Sequence, residues 1–242
     1  MNAKAEITLS ESEVRSLALG HALLAALEPK TLGAVIGVSR VQHYRAKRTV
    51  LKEGEVATHV LFLLRGAVRV HHRREDGTEL LMKLLRAPAL FADVAAMSEL
   101  PAMEFVTTLE SSDILAIPAQ VFRELVRVEQ RFALAFANAL AERLTQASSN
   151  QRALALADTD RRLATLLLDY ADLAGVDTPS GRRVELALSQ DAMANDLAVS
   201  RKAVTMSLAR LKDLGLVDKE EARYVIRDSA ALTVRSTRNR SI

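Results

Sequence analysis

The stretch NDLAVSRKAVTMSLARL, residues 195–211, contains two segments with an amphipathic pattern, separated by a short connection. The second segment begins with Ser200-Arg201-Lys202. Two adjacent cations at the start of a helix are locally unfavourable, because the helix macrodipole places positive charge there. A partner that brings negative charge would reverse this penalty. The stretch therefore raises the question of which anionic partner this helix meets.

Two serines mark the starts of two successive helices here. Ser189 is expected to cap a helix that runs to about Leu197, and Ser200 to cap a helix that runs to about Leu214. A three-residue joint between them predicts a helix-turn-helix. Small alanines stand where the helices must meet, and the expected shared core consists of Met193, Leu197, Val204, Leu208 and Leu211.

The exposed face of the second helix has the chemistry of a nucleic-acid reader, with Arg201, Lys202, Thr205, Met206 and Arg210. In a major groove, phosphates would satisfy the free amides of the helix end and favour the two cations. An ordinary helical hairpin with a solvated basic end is the alternative. We predict double-stranded DNA as the partner, and the predicted DNA-binding residues are Ser189, Gln190, Ser200, Arg201, Lys202, Thr205 and Met206.

The composition of the whole chain limits the other possibilities. Its 242 residues are 49% hydrophobic and 26% charged, which is typical of a globular protein. The absence of cysteine excludes disulfides, thiolate metal sites and cysteine nucleophiles. There is no apolar run long enough to span a bilayer, and residues 1–16 lack a signal-peptide core. We therefore expect a soluble, cytoplasmic protein without a membrane partner.

Short strands broken by turns are predicted between about residues 41 and 117. The clearest run, HVLFLLRGAVRVHHRREDGTELLMKLL at residues 59–85, reads as two strands joined by a turn at residues 75–77. Gly54 and Gly66 are expected at turns or at positive φ. Many short strands with regular turns predict a closed or rolled antiparallel sheet.

Helical periodicity flanks these strands. Residues 13–32 are expected to be helical, and from about residue 118 to residue 157 an apolar stripe recurs every three or four positions. So long a helix needs something along its length to bury against, which favours a homodimer seam; a single core helix within one chain is the alternative. The stripe consists of Leu125, Val128, Phe132, Phe136, Leu140 and Leu144.

The last part of the chain surrounds the helix-turn-helix. DTDRRLATLLLDYADLAG, residues 158–175, reads as a helix whose acidic first turn matches the dipole and whose stop is Gly175. LVDKEEARYVIRD, residues 216–228, alternates and predicts a two-stranded wing. The predicted division of the chain is an effector domain at 13–128, a dimerisation helix at 129–157 and a DNA-binding domain at 158–242.

This order of parts resembles the catabolite activator protein and fumarate-nitrate reductase regulator (Crp/Fnr) family. The resemblance covers about residues 20–228 and is carried by residues 51–85 and by LSQDAMANDLAVSRKAVTMSLARLKDLGLV, residues 188–217. It implies an α+β fold with an N-terminal antiparallel β-roll of the cyclic-nucleotide-binding type, a long dimerisation helix and a C-terminal winged helix-turn-helix. It also implies a homodimeric transcription factor that binds paired half-sites and, if it is an activator, contacts RNA polymerase.

The effector region departs from the cyclic-nucleotide-binding members of that family. Their phosphate cassette reads Phe-Gly-Glu and, after an interval, Arg followed by Ser or Thr. The corresponding stretch here is LFADVAAMSELPAMEFV, residues 90–106. In it Ala92 replaces the glycine and Asp93 replaces the glutamate. Ala102 stands at the arginine position and Met103 at the position of the serine or threonine. An alanine cannot neutralise a phosphate as arginine does, and methionine supplies no donor. These four residues are the predicted effector pocket, and cyclic AMP is predicted not to be its ligand.

Two other sensor chemistries of the family can be compared with the residues. An iron–sulfur cluster held by cysteines is excluded, because there are none. Haem needs an axial ligand, which histidine can supply. The alternative interpretation is that the histidines of this chain lie at the surface or at hairpin tips. The effector therefore stays open between haem, another small ligand and none, with candidate ligands His21, His43, His59, His71 and His72.

The recognition helix departs too. After its capping serine the family's activator reads Arg-Glu-Thr-Val-Gly-Arg, whereas here only Arg201 is kept, Lys202 replaces the glutamate and Met206 replaces the second arginine. Lys202 favours a guanine or a phosphate and Met206 a thymine methyl, which predicts a half-site other than the typical TGTGA. An enzyme is not expected, because the sequence lacks a P-loop, a Rossmann glycine pattern and a paired-histidine metal motif.

Overall fold

The computed structural model describes residues 9–73, 79–156 and 159–236. The chain forms two compact units, each described below by itself. The first falls within Met1–His72 and Leu85–Glu142, and the second within Arg73–Leu84 and Arg143–Ile242.

Residues 13–32 are largely helical, as the sequence predicted, and the helical region consists of three short helices. Gly20 caps the end of the first, and the His21 side chain accepts a hydrogen bond from the amide of Leu23 in the second. Pro29 starts the third, since the missing N–H of proline costs nothing in a first turn. The three helices are α1 (Glu11–Leu19), α2 (Ala22–Ala25) and α3 (Pro29–Gly37).

Two four-stranded sheets form the rolled antiparallel structure that the sequence predicted, in the orders β1-β8-β3-β6 and β2-β7-β4-β5. A short helix, α4 (Asp93–Ser98), follows β6, and the predicted turn at 75–77 lies outside the described residues. The strands are β1 (Arg40–Tyr44), β2 (Thr49–Leu51), β3 (His59–Arg65), β4 (Ala67–Arg73), β5 (Glu79–Arg86), β6 (Ala89–Phe91), β7 (Phe105–Thr108) and β8 (Ser112–Pro118).

Alternation along β3 divides the core of the first unit into two layers. Val60, Phe62 and Leu64 pack into a cluster with the N-terminal helices, whereas Leu63 belongs to the cluster inside the roll. This is the period of two that a strand imposes on its side chains. The roll interior also contains Val68, Val70, Phe91, Ala102, Val106 and Ile114.

One glycine connects β3 to β4, which belong to different sheets of the roll. Gly66 has φ +92°, and a Cβ there would overlap the Ser112 hydroxyl and approach the Ser111 carbonyl oxygen to 2.6 Å. Gly54 also has positive φ, at +82°, although the space around it is open. Both glycines therefore have the conformation that the sequence predicted for them.

Two helices follow the roll, α5 (Ala119–Val128) and α6 (Gln130–Leu156). Phe122 of α5 contacts the rings of Phe132 and Phe136 edge-on, with centroids 5.3 and 5.2 Å apart, and this aromatic cluster packs into the helical side of the core. The start of α6 is therefore bound within its own unit. Within the described ranges, no helix is both long and apolar enough to cross a membrane.

The second unit combines helices with a small antiparallel sheet in the order β11-β12-β10-β9. The predicted two-stranded wing is thus half of a four-stranded sheet. The helix predicted at 158–175 ends at Ala174, and Gly175 begins a strand. The elements are α7 (Thr159–Ala174), β9 (Gly175–Thr178), β10 (Gly181–Val184), α8 (Gln190–Leu197), α9 (Arg201–Asp213), β11 (Val217–Glu220), β12 (Arg223–Ile226) and α10 (Ser229–Arg235).

Candidate nucleic-acid interface

The two helices α8 and α9 begin where the sequence predicted, because serine side chains satisfy their free amides. Ser189 Oγ accepts from the Ala192 amide at 3.0 Å, and Ser200 Oγ accepts from the Ala203 amide at 3.2 Å. Ala198, in the left-handed conformation at φ +52°, ends α8 and turns the chain. These caps confirm the predicted helix-turn-helix.

The shared core of the motif differs from its prediction at one position. Met193, Leu197, Val204 and Leu211 are buried as expected, whereas Leu208 is only half-buried. Its neighbour Ser207 is fully buried instead, and its hydroxyl accepts from the Arg210 guanidinium at 3.2 Å. A polar residue inside this core is explained by that hydrogen bond.

The outer face of α9 exposes most of the predicted DNA-binding residues. The Met206 side chain is half exposed, and Arg201 reaches Asp191 at the start of α8 through an exposed 3.6 Å ion pair. Lys202 is exposed and makes no hydrogen bond or ion pair with any residue in the described ranges. An exposed ion pair of this kind stabilises a fold by little, so Arg201 is available to another anion.

Two of the predicted DNA-binding residues contact each other. The Thr205 hydroxyl donates to Gln190 Oε1 at 2.9 Å and lies 3.0 Å from the carbonyl oxygen of Arg201, one turn earlier. Gln190 opens α8 and Thr205 lies in the second turn of α9, so this bond fixes one helix against the other. No local sequence pattern indicates the contact, because the partners are fifteen positions apart.

Arg210 is exposed, as the sequence predicted, but its guanidinium is bound within the protein. Its guanidinium binds Asp160 in α7 through two hydrogen bonds, of 2.6 and 2.7 Å. The Asp160 carboxylate is largely buried, and the hydrogen bond from Arg210, aided by Ser207, holds its pKa below the ordinary value. The interpretation of the acidic residues at 158–162 as dipole matching was therefore incomplete, because Asp160 is an ion-pair partner. Asp158 lies outside the described residues.

Helix α7 also holds the end of α8. The Tyr170 hydroxyl donates to Asp196 Oδ2 at 2.7 Å in a buried contact, and the Arg162 guanidinium donates to the carbonyl oxygen of Leu197. A basic side chain at a helix C-terminus stabilises the carbonyls that have no partner there. Both helices of the motif are thus bonded to α7.

The wing is fixed to the end of α9 by one carboxylate. Asp218 accepts from the Lys219 amide at 2.8 Å and contacts both Lys212 and Arg227 at 3.1 Å. The amide hydrogen bond, followed by those from Lys212 and Arg227, lowers the pKa of Asp218 to about 2. The carboxylate is therefore ionised at neutral pH, where it binds both cations.

Comparison with known proteins finds the same two parts. The sequence matches the family model of the cyclic nucleotide-binding domain over residues 41–129 and that of the Crp-like helix-turn-helix domain over residues 161–235. The chain belongs to the Crp/Fnr family. It is accordingly a transcriptional regulator with a DNA-binding helix-turn-helix domain, and not an enzyme.

Several Crp/Fnr proteins are similar over most of their length. The global nitrogen regulator of Synechocystis sp. is 25% identical over 210 residues, which cover 86% of this chain and 93% of the relative. The CRP-like cAMP-activated global transcriptional regulator of Mycobacterium tuberculosis is 23% identical, over 88% and 96% of the two chains. A CRP-family regulator from Thermus thermophilus has the same fold, with a TM-score of 0.67, 20% identity, and coverage of 80% and 95%.

The four residues at the Crp/Fnr cassette positions are not brought to one surface. Ala92 has φ +61° and packs, with the buried Ala102, at the roll interior. Asp93 is also buried, whereas Met103 is 72% exposed. The Ala102 backbone pairs with Gly54 and Glu55 through two 2.8 Å hydrogen bonds. The left-handed turn is therefore kept with alanine, and neither Ala102 nor Met103 supplies a cation.

Of the candidate haem ligands, His43 and His59 line one cavity of the first unit, whereas His21, His71 and His72 are not among its lining residues. His43 Nδ1 is 2.7 Å from Asp113 Oδ1, and His71 is fully buried with its ring stacked on Phe105 at 5.6 Å. The interpretation of the candidates as surface or hairpin-tip histidines was therefore wrong for these two. The remaining three bond or contact neighbouring protein groups and are His21, His59 and His72.

The Asp160–Arg210 pair is expected to stabilise the second unit. Asp160→Asn removes the acceptor charge for a bidentate arginine and should lower the free energy of unfolding by about 1–3 kcal/mol at neutral pH. Because the folded pKa of Asp160 is depressed, this stabilisation is present above its unfolded pKa and is lost as the pH falls through the folded value. Calorimetric unfolding of the full chain should show the difference from wild type shrinking below about pH 4.

Asp191→Asn is the matched control, since it breaks the exposed Arg201 pair in the same unit. It should cost no more than about 1 kcal/mol. Equal losses from the two variants would mean that the Asp160 pair has no special structural role.

Proposed function

We propose that this regulator acts in the cytoplasm as a homodimer that recognises paired half-sites in double-stranded DNA through α9, and that it is not controlled by cyclic AMP. The observation that carries the proposal is the exposed start of α9. Arg201 and Lys202 stand there beside capped but solvent-facing helix amides, with Thr205 and Met206 on the next turn. Contact with RNA polymerase belongs to the proposal only if the protein activates transcription.

The side chains of the proposed interface have different roles. Arg201 is the proposed reader of a base edge, since its guanidinium can bind guanine through two hydrogen bonds. Lys202, whose ammonium contacts no acceptor among the described residues, is the proposed phosphate contact, and Met206 the apolar contact to a thymine methyl. Gln190 and Thr205, which bond to each other, position the two helices on the DNA. Ser189 and Ser200 are proposed to bring the starts of α8 and α9 to the phosphates.

Binding to a randomised half-site library tests these roles. Arg201→Ala should weaken the best site by roughly 1–3 kcal/mol per half-site and flatten the preference at one base position. Lys202→Ala should weaken all sequences about equally and lower the slope of log affinity against log salt by about one per contact. Each variant is measured at two salt concentrations.

Lys219→Ala is a suitable control, because it removes a cation of the same unit that lies on β11 rather than on α9. It is expected to leave the base preference as in wild type. If Arg201→Ala keeps the wild-type affinity and base preference, α9 is not the reader and this part of the proposal fails.

The proposed dimer seam shares Leu144 with the stripe that the sequence indicated and otherwise consists of other positions of α6. Phe132 and Phe136 are buried within their own unit, which leaves them unable to pair with a second chain. A different row at positions 134, 137, 141 and 144 is exposed, with Leu134 63% and Leu144 70% accessible. These spacings of three and four are those of a coiled-coil seam. The proposed seam consists of Leu134, Ala137, Ala141 and Leu144.

Sedimentation of a seam variant tests this assembly. Leu134→Glu combined with Ala141→Glu would place like charges against each other across two chains, so the protein should become monomeric and lose affinity for paired half-sites. Leu19→Glu, at a leucine of α1 that is 47% exposed, is the control and should stay dimeric. A wild-type protein that is monomeric while bound to a two-fold site would contradict the proposal.

The proposed division into regions remains 13–128, 129–157 and 158–242. It differs from the two compact units, whose boundary falls between Glu142 and Arg143 within α6 and which assign Arg73–Leu84 to the second unit. The proposal treats α6 as a separate region because its exposed seam would be completed by a second chain.

The cassette region lacks the positive charge that a cyclic phosphate requires. A cyclic phosphate needs a cation, and the positions that correspond to the cassette arginine and hydroxyl hold Ala102 and Met103, neither of which donates a hydrogen bond from its side chain. Asp93 adds a buried carboxylate near them in sequence. The Mycobacterium tuberculosis relative is cAMP-activated by its name, so similarity alone does not decide the effector.

Calorimetric titration with cyclic AMP is expected to give no saturable heat, and cyclic AMP should leave DNA affinity unchanged. The double variant Ala102→Arg/Met103→Ser, titrated in parallel, shows whether the missing groups are sufficient to restore binding. Saturable binding to the wild-type chain at micromolar concentration would contradict the proposal.

A further inference from the structure

The first unit contains a cavity that the family resemblance does not explain. It has a volume of about 460 Å³ and is lined by β1, by β2, by the segments that follow these two strands, and by residues of β3 and β8. Sites for small molecules in proteins have volumes of roughly 300–1,000 Å³. None of the four cassette residues lines it, so it is a second place at which the effector domain could hold a ligand.

The lining of this cavity carries more positive than negative charge. Arg45, Arg48 and Lys52 all line it and are exposed. Among the residues that the structure describes, none is within hydrogen-bond or ion-pair distance of these three side chains. The carboxylate of the lining belongs to Glu55, whose Oε2 accepts from the Lys52 amide at 3.3 Å. Three cations against one carboxylate leave a local field that attracts anions.

Other arginines of the same unit behave differently. Arg123 lies 3.2 Å from a carboxylate oxygen of Glu99, and Arg127 lies 2.9 Å from one of Glu124. The cations of the cavity have no such neighbour in the part of the chain that the structure describes, although they stand close enough together to line one space. Their mutual repulsion would be relieved by a ligand that carries the missing negative charge.

The inner wall of the cavity is suited to an organic body rather than to a bare ion. Val50, Leu61 and Ala116 contribute apolar surface, and the half-buried Tyr44 donates to Gln42 Oε1 at 2.5 Å. The rest of the lining is mainly polar, which suits a highly charged ligand with a small apolar body. The volume also exceeds that which a single inorganic anion would fill.

We propose that this cavity binds a small organic anion with two or more negative charges, such as a phosphorylated or polycarboxylic metabolite. Its anionic groups bind Arg45, Arg48 and Lys52, and its body lies against Val50 and Leu61. The site is separate from the cassette and independent of DNA binding, so failure of either proposal leaves the other standing.

Isothermal titration calorimetry of the full chain at constant ionic strength tests the proposal. The probes are fructose 1,6-bisphosphate and citrate, which distinguish the phosphorylated from the carboxylic source of charge, and fructose as the uncharged counterpart. At least one anion should bind saturably and fructose should not. Arg45→Gln combined with Arg48→Gln should weaken that binding roughly tenfold or more, because two charge-assisted contacts are lost.

The control is Lys30→Gln combined with Arg131→Gln, which makes the same change of charge at exposed positions of the same unit outside the cavity. It should retain the wild-type affinity. The proposal is overturned if no probe saturates at millimolar concentration, or if both double variants weaken binding equally. Poly-glutamate is titrated as a further probe. If it binds saturably and neither small anion does, the proposal is also overturned, in favour of an acidic protein partner.

Discussion

The ion pair between Arg210 and Asp160 is the contact on which the orientation of the recognition helix depends. It joins α9 to α7, and the same guanidinium makes the buried Ser207 compatible with an apolar core. A bidentate arginine has little rotational freedom, so it specifies an angle as well as a distance. With α9 held in this way, Arg201 and Lys202 face solvent at its start.

The features that the sequence predicted best are those determined within a few residues. Ser189 and Ser200 cap helices through amides three positions away, and Gly66 adopts a positive φ that its own lack of a Cβ permits. The ion pair of Arg210 was not predicted, because its partner is fifty positions away. The helical period alone also could not tell which apolar face of α6 meets its own chain, and only the contact with Phe122 shows that Phe132 does.

The first unit has the β-roll fold although its cassette residues differ from those of the cyclic-nucleotide-binding members of the family. Ala92 keeps a left-handed turn that is ordinarily easier for glycine, so the backbone there is maintained by the surrounding roll. Three cations of this unit, Arg45, Arg48 and Lys52, line a cavity near β1 and β2. Conservation of a fold and conservation of its ligand are therefore separate questions in this protein.

Some residues of the recognition helix are hydrogen-bonded to other helices, whereas others make no such contact in the described part of the chain. Thr205 and Gln190 bond to each other, and Arg210 bonds to α7, so substitution at these positions disturbs folding. Lys202 and the half-exposed Met206 stand outside those contacts, and surface changes of that kind usually alter stability by less than about 0.5 kcal/mol. Lys202 and Met206 can therefore be substituted with little effect on the stability of the fold. Because both are proposed DNA contacts, single substitutions at these positions would give such a regulator new target sites.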